Sequence, residues 1–213
     1  MLKRYLTKTE FGSYEDFAAN FGIRAPEGGF NFGYDVVDAR AAEEPDRMAL
    51  LWCNDHGEEK RLTFADMKEG SDRAAQVFAQ NGIGKGDTVM LTLKNRYEFW
   101  FCIVGLHKLG AVAVPATHML TEHDLEYRFG KAHVKMIVCA ADEGLCGYVE
   151  KACAAMGAAA PKRAKWGDGV WQSMKGHPAA KRAGARTAKA HLEASGRRWN
   201  MDSPKKQGPT ATP

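Results

Sequence analysis

The stretch from Asp87 to Pro115 leaves the chain few folds to choose from. Asp87-Thr88-Val89-Met90-Leu91-Thr92-Leu93 is β-branched and apolar enough for an interior strand. Asn95 then opens a helix that is apolar on nearly every side from Tyr97 to Leu106. Gly110 ends that helix, and Ala111-Val112-Ala113-Val114 forms the next strand before Pro115. A helix without a polar face has to be covered by protein on most sides. A strand–helix–strand unit of this length implies two parallel strands joined by a right-handed crossover. The expected fold class is therefore α/β, built on a parallel sheet.

The flanking segments extend the pattern. Residues 1–29 are aromatic and glycine-rich with little periodicity, and read as an irregular leader that packs across the main domain. A short helix is expected near Tyr34 to Ala42. Met48–Trp52 and Glu59–Thr63, separated by Asn54-Asp55-His56-Gly57, read as a hairpin. From Phe64 to Gln80, Phe64, Met67, Ala74 and Phe78 fall on one helical stripe. Thr63 with Asp66, Asn95 with Glu98 and Thr121 with Asp124 each have capping-box spacing at a helix start. A helix over Thr121–Lys131, a strand over Val134–Cys139 and a helix from about Asp142 to Met156 complete a domain placed at 30–156. The cluster Gly82-Ile83-Gly84-Lys85-Gly86 follows a helix and precedes a strand. A phosphate cradle needs the reverse order, so the cluster reads as a plain turn.

Charge divides the chain. Through Ala155 there are 18 Lys/Arg and 23 Asp/Glu, a net of −5; beyond it there are 12 and 3, a net of +9. After Gly157 only Val170 and Leu192 represent the large aliphatics, with no Ile, Phe or Tyr. Such a segment buries too little apolar surface to offset its ordering entropy, so 157–213 is expected to be a disordered basic tail. Its Ala/Arg/Pro bias resembles a GC-rich gene translated in the wrong frame. Five cysteines without a C-x-x-C pair suit reduced, buried thiols and a cytoplasmic location. The start, Met1-Leu2-Lys3-Arg4-Tyr5-Leu6, has no signal-peptide core, and the run Phe99–Leu106 is far too short to span a bilayer.

His118, His123, Asp124 and His133 lie close in sequence, but His118 and His123 are five apart and do not share a helix face. They read as surface groups, with Asp124 a cap, so no metal site is assigned. Cys146 and Cys153 share a helix face and read as packing. Lys181-Arg182, Arg186, Lys189, Arg197-Arg198 and Lys205-Lys206 with Trp199 could contact nucleic acid. A solvated tail is the favoured reading of them.

Two motifs resemble a known family. Leu62-Thr63-Phe64-Ala65-Asp66-Met67 resembles the first core motif of the adenylate-forming superfamily. Leu106-His107-Lys108-Leu109-Gly110-Ala111-Val112-Ala113-Val114-Pro115 resembles the second. Phe30-Asn31-Phe32-Gly33-Tyr34-Asp35-Val36-Val37-Asp38 is similar to the acetyl- and medium-chain acyl-CoA synthetase branch. The resemblance covers about residues 30–156 and implies the opening, mainly scaffolding, portion of such an enzyme. It implies ATP, Mg²⁺ and CoA as cofactors of the full-length family and a carboxylate as substrate. No Thr-Ser-Gly-Thr-Thr-Gly-like loop occurs in the 213 residues. No catalytic, cofactor-binding or metal residue is therefore carried over, and no cofactor is expected for this chain alone. A non-catalytic binding or regulatory module is the alternative; oligomeric state is not legible.

Overall fold

The computed structural model describes residues 5–24, 29–141 and 143–166. The described residues up to Phe30 and those from Asn31 to Trp166 form two compact units. The first unit carries a helix, α1 (Tyr14–Asn20), where an irregular leader was expected. The Ser13 hydroxyl caps it by accepting from the Asp16 N–H, and Leu6 and Ile23 form an antiparallel bridge. The Lys8 ammonium, the Gly12 N–H and the Asn20 amide hold the Asp16 carboxyl down to about 2.

The second unit opens with a π-helix, Gly33–Asp38, running into α2 (Ala39–Glu43). Strands β1 (Met48–Cys53) and β2 (Glu59–Thr63) form the expected antiparallel hairpin. The Asn54 side-chain oxygen shapes its turn by accepting from the His56 and Glu58 N–H groups at 3.0 Å each. α3 (Phe64–Gln80) then starts on the Thr63–Asp66 capping box. It is followed by β3 (Thr88–Thr92), α4 (Glu98–Leu109), β4 (Val112–Pro115), α5 (Glu122–Lys131), β5 (Val134–Ala140) and α6 (Glu143–Met156). The Thr121–Asp124 capping box forms at the start of α5. Gly110 ends α4 in the left-handed conformation, at φ 69°.

The third expected capping box does not form. α4 starts at Glu98 on a Tyr97 N-cap that offers no side-chain bond. Other contacts take the two residues instead. Glu98 is buried and accepts from the Arg96 guanidinium, while the Asn95 carbonyl accepts from the Trp52 indole.

The main sheet is parallel, in the order β4-β3-β5-β6 among the described residues. One face, with Val89, Leu91, Met136 and Val138, packs on Ala74, Phe78, Phe101 and Leu106 of α3 and α4. The other, with Met90, Ile137 and Cys139, packs on Leu125, Phe129, Leu145 and Val149 of α5 and α6. α3 and α4 cross closely because small residues meet there. A Cβ on Gly105 would lie 2.9 Å from the Ala75 amide nitrogen, and one on Gly70 would lie 2.5 Å from the Phe101 ring.

Regular structure continues past Met156, where the domain was expected to end. A 3₁₀ turn, Gly157–Ala159, leads into β6 (Lys162–Trp166), which pairs in parallel with β5. The remainder of the tail reading, with the basic residues from Lys181 to Lys206, lies outside the described residues.

Candidate functional site

The strand order locates a crevice. From β3 the chain steps outward to β4, then returns across the sheet to β5 on the other side of β3. In open parallel sheets, ligands gather outside the carboxyl ends of the strands at such a reversal. Here that edge consists of Thr92 and the loop after it, Ala116–Leu120 after β4, and Ala140–Ala141 after β5. The Thr92 hydroxyl is fully buried and has no hydrogen-bond partner. Lys94 follows in the left-handed region, at φ 53°.

The hairpin holds this loop in place. The Trp52 indole N–H donates to the Asn95 carbonyl at 2.6 Å. The Lys60 ammonium donates to the Tyr97 hydroxyl at 3.0 Å and lies 4.1 Å from the centre of its ring. Trp52 and Phe101 both meet the Tyr97 ring edge-to-face. The described edge brings no nucleophile–base pair together. Its side chains can position a ligand.

The strongest electrostatics lie elsewhere, in the core. Lys108 is 1% exposed and donates to Asp38 at 2.7 Å and Asp72 at 2.5 Å. Lys68 donates to Asp72 at 2.5 Å and lies 3.9 Å from Asp38, so two cations and two carboxylates close a neutral ring. Burial pushes the Asp38 carboxyl up against the pull of the Lys108 ammonium. Burial pulls the Lys68 ammonium down, but Asp72 and Asp38 outweigh it, so it ends above the ordinary lysine range. The Tyr34 hydroxyl is also raised, by burial and then by the two aspartates, and has no hydrogen-bond partner. The ring joins the π-helix to α3 and α4, a structural role. Its signal in the sequence was a lysine inside an otherwise apolar helix.

His118, His123 and His133 are exposed, and no group of three metal-ligating side chains forms among the described residues. Cys102, Cys139, Cys146 and Cys153 are buried, Cys53 is exposed, and no disulfide joins any of the five. Burial, then Glu98, pushes the Cys102 thiol far above its ordinary range. Gly82 and Gly86 are left-handed turn residues between α3 and β3, with the Gly86 N–H donating to the Gly110 carbonyl.

Comparison with known proteins decides the family. The model of the AMP-binding enzyme family matches residues 37–202. The chain belongs to that family. The match runs past Met156, as the fourth strand of the sheet does. Acyl-coenzyme A synthetase ACSM5, mitochondrial, of Rattus norvegicus is 34% identical over 127 residues, 57% of this chain and 22% of that protein. Its human relative ACSM3, mitochondrial, is 31% identical over 141 residues, 63% of this chain and 24% of that protein. A Mycobacterium tuberculosis fatty acyl CoA synthetase superposes with a TM-score of 0.59 at 26% identity, covering 68% of this chain and 28% of that one. The N-terminal domain of FACL13 from the same organism gives 0.60 at 26% identity, covering 70% and 37%. The chain thus spans about a quarter of the length of the curated relatives it matches, and resembles the N-terminal part of acyl-CoA synthetases. Among the described residues, no helix is long and apolar enough to cross a membrane.

Proposed function

We propose that these residues are the scaffold-bearing opening portion of an AMP-forming acyl-CoA synthetase. The parent reaction joins a short- or medium-chain carboxylate to CoA with ATP and Mg²⁺, releasing AMP and pyrophosphate. The observation that carries this reading is the 34% identity to ACSM5 on a fold shared with fatty acyl CoA synthetases. The chemistry requires a Ser/Thr/Gly-rich loop with a lysine to hold the phosphates, and a cation to spread their charge. The 213 residues contain no such loop, so they do not turn over by themselves. In this reading the crevice beside Thr92 forms part of the wall along which acyl group and CoA lie. Five thiols outside any disulfide support a cytoplasmic setting.

A pyrophosphate-release assay with ATP, Mg²⁺, CoA and the carboxylates from acetate to octanoate tests the claim. Release at background is expected, and turnover above it overturns the assignment of a scaffold without catalysis. The nucleotide sequence tests the frame-loss reading of the tail. A phosphate-binding loop encoded in another frame downstream supports it, and no such loop in either alternative frame removes it.

A further inference from the structure

A groove of about 720 Å³ opens at the amino ends of β3 and β5, the opposite edge of the sheet from Thr92. Its lining combines the partly buried apolar Ala132, Met156 and Ala160 with His133, Lys135 and Lys162. The Lys162 ammonium donates to the Asn81 carbonyl and the Lys135 ammonium to the Gly82 carbonyl, both at 2.7 Å. Two consecutive carbonyls at the carboxyl end of α3 thus draw two cations side by side, as the helix dipole favours. An ammonium carries three donors, so both lysines keep N–H groups for a ligand. One carboxylate also lines the groove, that of Asp87, and Lys135 pairs with it at 2.8 Å. That leaves the Lys162 charge without a counter-charge in the lining.

His133 supplies a second observation. It directly follows Ala132, the C-cap of α5, in the left-handed region at φ 47°. Glycine takes that position without steric cost, whereas an imidazole there is held at some strain. His133 is exposed and lines the groove, where its ring nitrogens are available to a ligand.

We infer that this groove binds a small amphipathic anion, a carboxylate carrying a short apolar chain. Lys162, Lys135 and His133 take the carboxylate, and Ala132, Met156 and Ala160 receive the chain. The inference does not rest on the synthetase reading. The groove lies at the other end of the strands, so failure of either leaves the other standing.

Equilibrium dialysis of radiolabelled hexanoate against the full 213-residue chain tests it. Saturable binding of one hexanoate per chain is expected, with acetate and hexylamine competing poorly because each lacks half of the chemistry. His133→Gly combined with Lys162→Met replaces two exposed side chains and should raise the dissociation constant about five- to tenfold, a range set by partly exposed charged contacts. Gly130 also lines the groove, and a Cβ there meets nothing within 4 Å. Gly130→Leu therefore obstructs the groove without a clash and should weaken binding as well. Absent saturable binding, equal affinity in both variants, or displacement by hexylamine as effective as by hexanoate overturns the inference.

Discussion

Replacing Lys108 by methionine is the sharpest probe of how the second unit is held together. The ammonium is 1% exposed, and the aspartate side chains it bonds, Asp38 and Asp72, are 17% and 14% exposed. Methionine preserves most of the side-chain volume, so the loss is mainly electrostatic. Removing one partner from a buried ion pair costs about 3–5 kcal/mol, because the remaining charge stays desolvated and unpaired. Lys68 still contacts Asp72 and lies 3.9 Å from Asp38, which places Lys108→Met near the lower end, at about 3 kcal/mol. For a chain of this size that corresponds to a fall in Tm of roughly 6–12 °C. Urea denaturation followed by tryptophan fluorescence measures it. Adding Asp38→Asn to Lys108→Met removes the excess charge, leaves the Lys68–Asp72 pair balanced and should recover more than half of the loss. A Lys108→Met protein within about 1 kcal/mol of the parent, or a double variant no more stable than the single, would refute the argument.

Two glycine substitutions should move stability in opposite directions. Gly105→Ala drives a methyl group against backbone atoms of α3 and should cost about 1–3 kcal/mol. Gly147→Ala sits within α6 with nothing inside 4 Å and should gain about 0.5–1 kcal/mol; paired urea melts read both. Asp87→Asn tests pH dependence. Burial raises that carboxyl, but the Lys135 ammonium and the Gly84 N–H outweigh it, so its pKa falls below the ordinary value. A depressed carboxyl stabilises the fold above its unfolded pKa of about 3.9 and loses that contribution as pH falls through the folded value. Asp87→Asn should therefore cost up to about 1 kcal/mol at neutral pH, discounted for exposure, and approach the parent in strong acid. A gap constant from pH 7 to 2 contradicts the assignment.

Much of this fold was legible from local pattern, and the exceptions share one cause. The apolar run Thr88–Leu93, the two-sided apolar helix and the stop at Gly110 set strand, helix and strand by backbone geometry and solvent exclusion. Their length then required parallel pairing. The Thr63 and Thr121 caps were readable because each is closed by a residue three positions away. Asn95 had the same spacing, yet its side-chain amide donates to the Cys53 carbonyl, 42 residues distant. The strand Lys162–Trp166 has no local signature, because its side chains, Lys-Arg-Ala-Lys-Trp, show no apolar alternation. Its place depends on backbone pairing with β5, and charged side chains suit such a border. Composition and motif identified the family, but no local pattern joined Lys108 to Asp38, 70 residues away, or to Asp72. Nor did it place Thr92 at the point where the chain reverses across the sheet. Those facts follow from strand order and helix crossing, which only residues far apart in sequence and adjacent in space can determine.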